Sequence, residues 1–250
     1  MRAVRVFLLG LPLVLVACGE SRGPASPGNA AWRYAGGLGP SHWAALDPGY
    51  LLCGAGRRQS PIDLRGAQRA PASVLRITYR PAEFRIVDNG HSIEAEAEGD
   101  AGSIVLGSTR YRLVQFHFHA PSEHTVAGRS FLMEFHLVHR AAGGRLAVLG
   151  VLVEQGRENL PLAGLFGDVP ARGEHRDLHL DAADLLPPSR ASYRYAGSLT
   201  TPPCSEGARW IVFSEPIELS PDQIVAFTHR YFGTNRPTQP LNGRLIARTP

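Results

Sequence analysis

Gln115-Phe116-His117-Phe118-His119 sets two histidines on alternate positions of an apolar run, and Glu134-Phe135-His136-Leu137-Val138-His139 does the same further on. In an extended strand, successive side chains point to opposite faces of the sheet. Gln115, His117 and His119 therefore share one face, while Phe116 and Phe118 turn to the other and pack into a core. In the second run Glu134, His136 and Val138 share a face, and Phe135 and Leu137 face away. Pairing the two strands would bring three imidazoles together. Three neutral nitrogens with a fourth position open are the ligand set of a catalytic zinc site. A ligating histidine usually gives its other N–H to a carboxylate, amide or carbonyl, and Gln115 and Glu134 each stand two residues before a histidine on that histidine's face. The plainer reading is a pair of core strands whose histidines are satisfied by hydrogen bonds. Spacing alone leaves both open, because it does not show that the strands pair.

The rest of the chain fits a β-rich fold. It has 250 residues, 44% hydrophobic and 19% charged, enough for one large domain with a sizeable core. Its 27 glycines and 20 prolines predict many turns and so many strands. Strand patterns cover Val74 to Tyr79, Phe84 to Val87, Ser103 to Leu106, Tyr111 to His119, Phe131 to Val138, Leu146 to Val153 and Trp210 to Phe213. Asp88-Asn89-Gly90 is a turn signal. One helix is well marked: Ser220 as N-cap, Pro221 at the first helical position, and Gln223 completing a capping box before Ile224-Val225-Ala226-Phe227. The fold class is mainly β: a single domain around a large, mostly antiparallel central sheet, with a few short peripheral helices.

Charge excludes little but says something. All 26 basic residues are arginine, set against 22 acidic ones, for a net charge of +4. No run of like charge appears, so nucleic acid is not an expected partner. The N-terminus reads as a targeting segment. Arg2 and Arg5 precede an apolar run from Val6 to Ala17, too short to span a bilayer as a helix. Leu15-Val16-Ala17-Cys18 resembles the lipobox of bacterial lipoproteins, in which Cys18 would carry lipid; an ordinary signal peptide with a cysteine near its cleavage site is the alternative. The expected organisation is a lipoprotein-type signal peptide over 1–17, a Ser-, Gly- and Pro-containing flexible tether over 18–31, and one domain over 32–250. Export implies an oxidising compartment, where Cys53 and Cys204 can form a disulfide; two buried free thiols are the alternative. The bond would close a long loop, worth on the order of 4–5 kcal/mol in the chain-entropy model.

Several motifs together resemble the alpha-class carbonic anhydrases. They are Gln115 to His119, then Ser122-Glu123-His124-Thr125-Val126, then Glu134 to His139. Gly197-Ser198-Leu199-Thr200-Thr201-Pro202-Pro203-Cys204 and Asn235-Arg236-Pro237-Thr238-Gln239-Pro240-Leu241-Asn242 belong to the same pattern, with Gln59-Ser60-Pro61-Ile62 and Ser41-His42-Trp43 ahead of them. They run in family order from about Trp32 to Arg248. The resemblance implies about ten strands, a conical cleft, and a Zn2+ cofactor on His117, His119 and His136. It implies reversible hydration of carbon dioxide to bicarbonate and a proton by attack of zinc-bound hydroxide. Thr200 would orient that hydroxide and pass its own proton to Glu123. Gln115 and Glu134 would support the ligands, and Val138, Val148, Leu199, Trp210 and Thr201 would form the substrate pocket. His91 would shuttle protons, with Asn89 and Tyr34 ordering the water network. Cys53 and Cys204 match the disulfide of bacterial members.

Two positions depart from the family pattern. Glu94 replaces the usual amide three residues after the shuttle histidine, and a carboxylate there would raise the pKa of His91 or disturb the water chain. Thr234 replaces the usual Asn before Asn-Arg-Pro, where the backbone carbonyl is the expected partner of one zinc histidine. His124 and His139 are expected to bond within the core or cleft wall, His42 to be structural, and His175, His179 and His229 to lie on the surface or in loops. The expected partners are carbon dioxide and bicarbonate, no nucleic acid, and a membrane only through the lipid anchor, with the chain a monomer or dimer. The expected location is the periplasm or cell envelope, anchored to the outer membrane because Gly19 follows Cys18. Rival readings are a zinc esterase and a non-catalytic surface-binding protein on the same fold.

Overall fold

The computed structural model describes residues 30–71, 74–167 and 169–250. The leader, the lipobox, Cys18 and most of the tether lie outside the described residues. Thirteen strands follow in chain order: β1 (Gln68–Arg69), β2 (Leu75–Tyr79), β3 (Ala82–Asp88), β4 (Ile93–Glu98), β5 (Gly102–Leu106), β6 (Thr109–His119) and β7 (Met133–Ala141). After them come β8 (Leu146–Gln155), β9 (His175–Leu180), β10 (Ser192–Ser198), β11 (Glu206–Phe213), β12 (Ile217–Leu219) and β13 (Ala247–Thr249). The α-helices are α1 (Trp43–Leu46), α2 (Leu52–Ala55), α3 (Leu160–Gly167) and α4 (Pro221–Tyr231).

The spine of the sheet runs β1-β13-β10-β11-β8-β7-β6-β4-β3-β9, with β5, β2 and β12 attached at its margins. The centre, β8-β7-β6-β4-β3, is antiparallel. The sheet as a whole is mixed, because β11 and β12 both pair with β8 in parallel, as does β1 with β13. The two long strands that opened the reading pair directly, and His117 stands opposite His136.

Alternation on these central strands separates two apolar bodies. Phe116, Phe118, Phe135, Leu137, Leu149 and Ile211 face one way and meet α3 and α4 through Leu165, Phe166, Ile224 and Phe227. Fully burying one such side chain contributes roughly 1.5–3 kcal/mol, so this layer holds the histidine strands flat behind the site. The other face carries the histidines and a smaller apolar group that includes Val138, Val148, Tyr195 and Trp210. The α4 cap is formed as the sequence predicts: Ser220 Oγ accepts from Gln223 N, and Gln223 Oε1 accepts from Ser220 N. Cys53 and Cys204 are bonded across a separation of 151 residues. That link ties α2 to the loop after β10 and is what an exported chain would carry.

Candidate metal centre

His117, His119 and His136 lie together on the open face of the β6–β7 pair. Their ligand nitrogens all fall within 4.8 Å of one another. Each imidazole is fixed by a bond on its other nitrogen. His117 Nδ1 is 2.8 Å from Gln115 Oε1, and His119 Nδ1 is 2.6 Å from the Thr234 carbonyl. His136 Nε2 is 2.9 Å from Glu134 Oε1. An amide oxygen, a carbonyl and a carboxylate all accept, so each bonded nitrogen carries the proton. That leaves His117 Nε2, His119 Nε2 and His136 Nδ1 with bare lone pairs toward a common centre. His119 Nε2 is buried and has no hydrogen-bond partner among the described residues. Burial holds His117 well below the ordinary imidazole pKa, with His119 and His136 adding to the effect and Glu134 opposing it. Burial also lowers His119, against the pull of Glu123. Three imidazoles turned to one centre, one of them with an orphaned buried nitrogen, fit a zinc ion.

Glu134 is the anchor of this arrangement. Burial works against its ionisation, but His124 and His136, charge and bond together, outweigh burial and hold the carboxyl well below the usual range. Its Oε1 meets His124 Nδ1 at 2.7 Å as well as His136, and its Oε2 accepts from the backbone amides of Glu123 at 3.0 Å and His124 at 2.8 Å. His124, Glu134 and His136 also approach as a triplet, but their contacts are these hydrogen bonds. His124 Nε2 lies 2.6 Å from the Tyr195 hydroxyl, which meets Ser60 Oγ at 2.9 Å. The sequence reading left out this chain and Gly150. A Cβ on Gly150 would stand 3.0 Å from Glu134 Oε1 and 3.2 Å from Val212 Cγ2, so glycine makes room for the carboxylate. A lone glycine inside the apolar run Leu146 to Val153 was the available signal.

The remaining candidates divide by what the fold brings near them. Val138 is opposite Val148, and Val148 opposite Trp210, so three wall residues form one row across β7, β8 and β11. Trp210 packs its ring 4.8 Å from that of His136. Leu199, Thr200 and Thr201 lie in the loop that the disulfide closes, with Leu199 N bonded to Ser205 O at 3.0 Å. Glu123 Oε1 accepts from the Arg236 amide at 2.8 Å. Its Oε2 has no hydrogen-bond partner among the described residues, so the Thr200–Glu123 bond implied by resemblance is not formed. Oε2 turns instead toward the imidazoles, 3.5 Å from His119 Nε2 and 3.9 Å from His136 Nδ1.

His91 follows the Asp88–Gly90 turn, and Gly90 takes the left-handed conformation there at φ +81°. Its ring stacks on Trp32 with centroids 3.7 Å apart, and Tyr34 lies edge-on to both His91 and His119. Asn89 Oδ1 accepts from the His91 and Ser92 amides, and Asn89 Nδ2 donates to Glu94 Oε2 at 2.9 Å. The Glu94 carboxylate is thus spent on Asn89. Burial first, then Arg172 and Arg33, lower the His91 pKa against Asp88, so the raised value that a carboxylate at position 94 suggested is not what this site produces. Thr234 keeps the carbonyl contact, and its hydroxyl accepts from Ala120 N and donates to Tyr231 O. His139 bonds Tyr79 in the core. His42 is exposed and accepts from Ala45 N through its backbone. His175 and His179 are exposed on β9, a strand and not a loop, and His229 is exposed on α4.

Comparison with known proteins adds an independent line. Residues 38–250 match the family model for eukaryotic-type carbonic anhydrase. A carbonic anhydrase of Pectobacterium carotovorum is 38% identical over 242 residues, covering 95% of this chain and 98% of that protein. One of Klebsiella pneumoniae is 42% identical over 220 residues, covering 86% and 89%. Among solved structures, the alpha-carbonic anhydrase of Thermovibrio ammonificans in complex with the inhibitor sulfanilamide superposes with a TM-score of 0.84 at 44% identity. That match covers 88% of this chain and 100% of the other.

Proposed function

The chain belongs to the eukaryotic-type, or alpha, carbonic anhydrase family and is a carbonic anhydrase, and from that premise we propose that it hydrates carbon dioxide reversibly on a zinc ion held by His117, His119 and His136. The observation that carries the proposal is the convergence of three imidazole nitrogens within 4.8 Å, each on a ring anchored through its other nitrogen. When bound, zinc supplies a Lewis acid that lowers the pKa of water to about 7, the figure known from carbonic anhydrase itself, and so provides a nucleophile at neutral pH.

The chain's own residues do the rest. Gln115, Thr234 and Glu134 hold the three imidazoles in one tautomer each, so that no ligand nitrogen must lose a proton first. Val138, Val148, Leu199 and Trp210 offer carbon dioxide an apolar wall. A molecule without a net dipole gains there what it lacks in water, and water is poorly held against it. Thr201 completes that pocket. Thr200 would orient the nucleophile through its hydroxyl by donating a hydrogen bond to Glu123 Oε2, a carboxylate oxygen that has no partner among the described residues and is open to accept one. Arg236 keeps the other oxygen of Glu123 in place. His91 carries the released proton out through water ordered by Tyr34 and Asn89. An imidazole is suited to that step because its pKa lies near the working pH.

The reading extends to location. The disulfide fits an exported protein, and a signal sequence ending in a lipidated Cys18 would tether the domain to the cell envelope, at the outer membrane. Mass spectrometry of the mature N-terminus tests this: diacyl-cysteine at position 18 supports it, and an unmodified terminus elsewhere sinks it. For the chemistry, Thr200→Ala is expected to keep zinc and lose at least ten-fold in hydration rate, because it leaves the metal ligands intact. Undiminished hydration in that variant would remove Thr200 from the mechanism.

A further inference from the structure

Asp88-Asn89-Gly90 makes the turn from β3 toward β4, and its hydrogen bonds assemble the parts of a reaction on Asn89. Asparagine is a thermolabile residue, because the next backbone nitrogen can close a five-membered ring on its carboxamide carbon. Glycine in that next position has no side chain to obstruct the closure. Gly90 N, the nucleophile, donates to Asp88 Oδ1 at 2.7 Å. Asn89 Oδ1 accepts from His91 N at 2.9 Å and from Ser92 N at 2.8 Å. Only an acceptor meets two N–H groups, so this atom is the oxygen. Its bonds to the two following amides fold the carboxamide back over the Asn89–Gly90 peptide. Asn89 Nδ2, the leaving nitrogen, donates to Glu94 Oε2 at 2.9 Å. The residue is exposed, so water reaches it.

Each contact matches a role in ring closure. The Asp88 carboxylate is a base on the nucleophile's proton. The His91 and Ser92 amides are donors to the oxygen that gains charge as the tetrahedral centre forms. The fold holds nucleophile and carbonyl together beforehand. A second Asn-Gly pair in the chain, Asn242-Gly243, lacks these parts. Asn242 Nδ2 donates to the Arg57 carbonyl at 3.0 Å, while among the described residues its Oδ1 accepts from no amide and the Gly243 amide meets no carboxylate.

We propose that Asn89 is a modification site, converted to aspartate and isoaspartate by a reaction that its own turn promotes. Gly90 N bonds to Asn89 Cγ and its proton passes to Asp88, which releases it to water. The Cγ–Nδ2 bond breaks, and the nitrogen leaves as ammonia with a proton drawn from water. Water then adds to the imide: opening at Cγ gives aspartate, and opening at the backbone carbonyl gives isoaspartate. Either product lacks the donor that Glu94 accepts, and isoaspartate lengthens the backbone two residues before His91.

The test incubates the full, zinc-loaded chain at neutral pH and physiological temperature. Peptide mapping by mass spectrometry follows the unit mass gain at Asn89 and Asn242, and enzymatic methyl transfer reports isoaspartate. Both rates are read without reference to the hydration chemistry. Conversion at Asn89 should be at least ten-fold faster than at Asn242, a modest share of the roughly 10²–10⁴-fold that a positioned base contributes in enzymes. In concentrated urea the turn is lost and the ratio should fall toward one. Asp88→Ser keeps an acceptor for the Gly90 amide without the base, and should slow Asn89 at least ten-fold while Asn242 is unchanged. Gly90 is left intact, because a Cβ there would stand 2.8 Å from Arg172 Nη2. An Asn89-to-Asn242 ratio no greater in the folded chain than in urea overturns the proposal, and that comparison needs no variant. Undiminished conversion at Asn89 in Asp88→Ser overturns it equally.

Discussion

His139 should make the fold acid-sensitive, and the size of the effect follows from its surroundings. It sits on β7 facing away from the metal cluster and is fully buried. Its Nδ1 lies 3.3 Å from the Ala147 carbonyl, and its Nε2 lies 2.6 Å from the Tyr79 hydroxyl, with the two rings stacked. The carbonyl accepts the Nδ1 proton, so Nε2 accepts from Tyr79. A second proton on the ring would displace that bond and bury a charge. Burial accordingly pulls the pKa down to about 3, against the opposing pull of the Ala147 and Leu137 carbonyls. In the unfolded chain the ring titrates near 6.5. Between those values the unfolded state binds the extra proton and the folded state does not. The contribution of neutral His139 is therefore complete above pH 6.5 and is lost as pH falls from there toward 3. Integrating the linkage gives a loss of about 3 kcal/mol by pH 4.5 and about 4 kcal/mol by pH 3. The assay is urea denaturation of metal-free wild type and His139→Gln at pH 7.5 and 4.5, so that zinc release does not enter. Glutamine retains hydrogen-bonding capacity without titrating. The stability gap between the two proteins should shift by about 3 kcal/mol in favour of the variant at the lower pH. A gap that stays constant across that range would refute a neutral, proton-excluding His139.

Glu134→Gln should lower zinc affinity about 10–100-fold, read by competition with a chelator, because its carboxylate sets the His136 tautomer. Replacing Cys53 and Cys204 by serine should cost roughly 4–5 kcal/mol in urea denaturation, given the long loop that the bond closes; a cost below about 1 kcal/mol would discount that loop-entropy argument. His91→Ala should lower kcat in weak buffer, leave kcat/KM for carbon dioxide nearly unchanged, and be rescued by imidazole; wild-type kcat in weak buffer would remove His91 as the shuttle. Arg172→Ala should move the acidic limb of the kcat–pH profile upward, since that guanidinium is among the groups lowering the His91 pKa.

Much of this site was legible because a strand's two-residue period carries it. His117, His119 and His136 needed only alternation and the pairing of β6 with β7, and the helix α4 announced itself through Ser220 and Gln223. The strand β4 is equally regular, with Ile93, Ala95 and Ala97 alternating with Glu94, Glu96 and Glu98, but three glutamates in six residues mask a strand that alternation reveals. β9 and β10 were missed for a different reason. His175 to Leu180 has one well-buried residue, and Ser192 to Ser198 mixes Arg, Gly and Ser into a strand that earns its place by pairing with β11 and β13. The parallel joins of β8 to β11 and β12 depend on contacts distant in the chain, and no local pattern specifies them. Similarly, the Thr234 carbonyl and the Glu134–His136 bond could be anticipated, but the three other hydrogen bonds on Glu134 could not. They come from the turn around Glu123 and His124 folding back onto β7.

The central claim is that one zinc held by three imidazoles does the hydration. Metal content by mass spectrometry and carbon dioxide hydration by stopped flow, measured on the same purified wild-type and His117→Ala samples, test it most directly. The account predicts one zinc per wild-type chain with active hydration, and loss of both together in His117→Ala. Hydration that survives in zinc-free protein, or a fully zinc-loaded wild type that does not hydrate carbon dioxide, would contradict it.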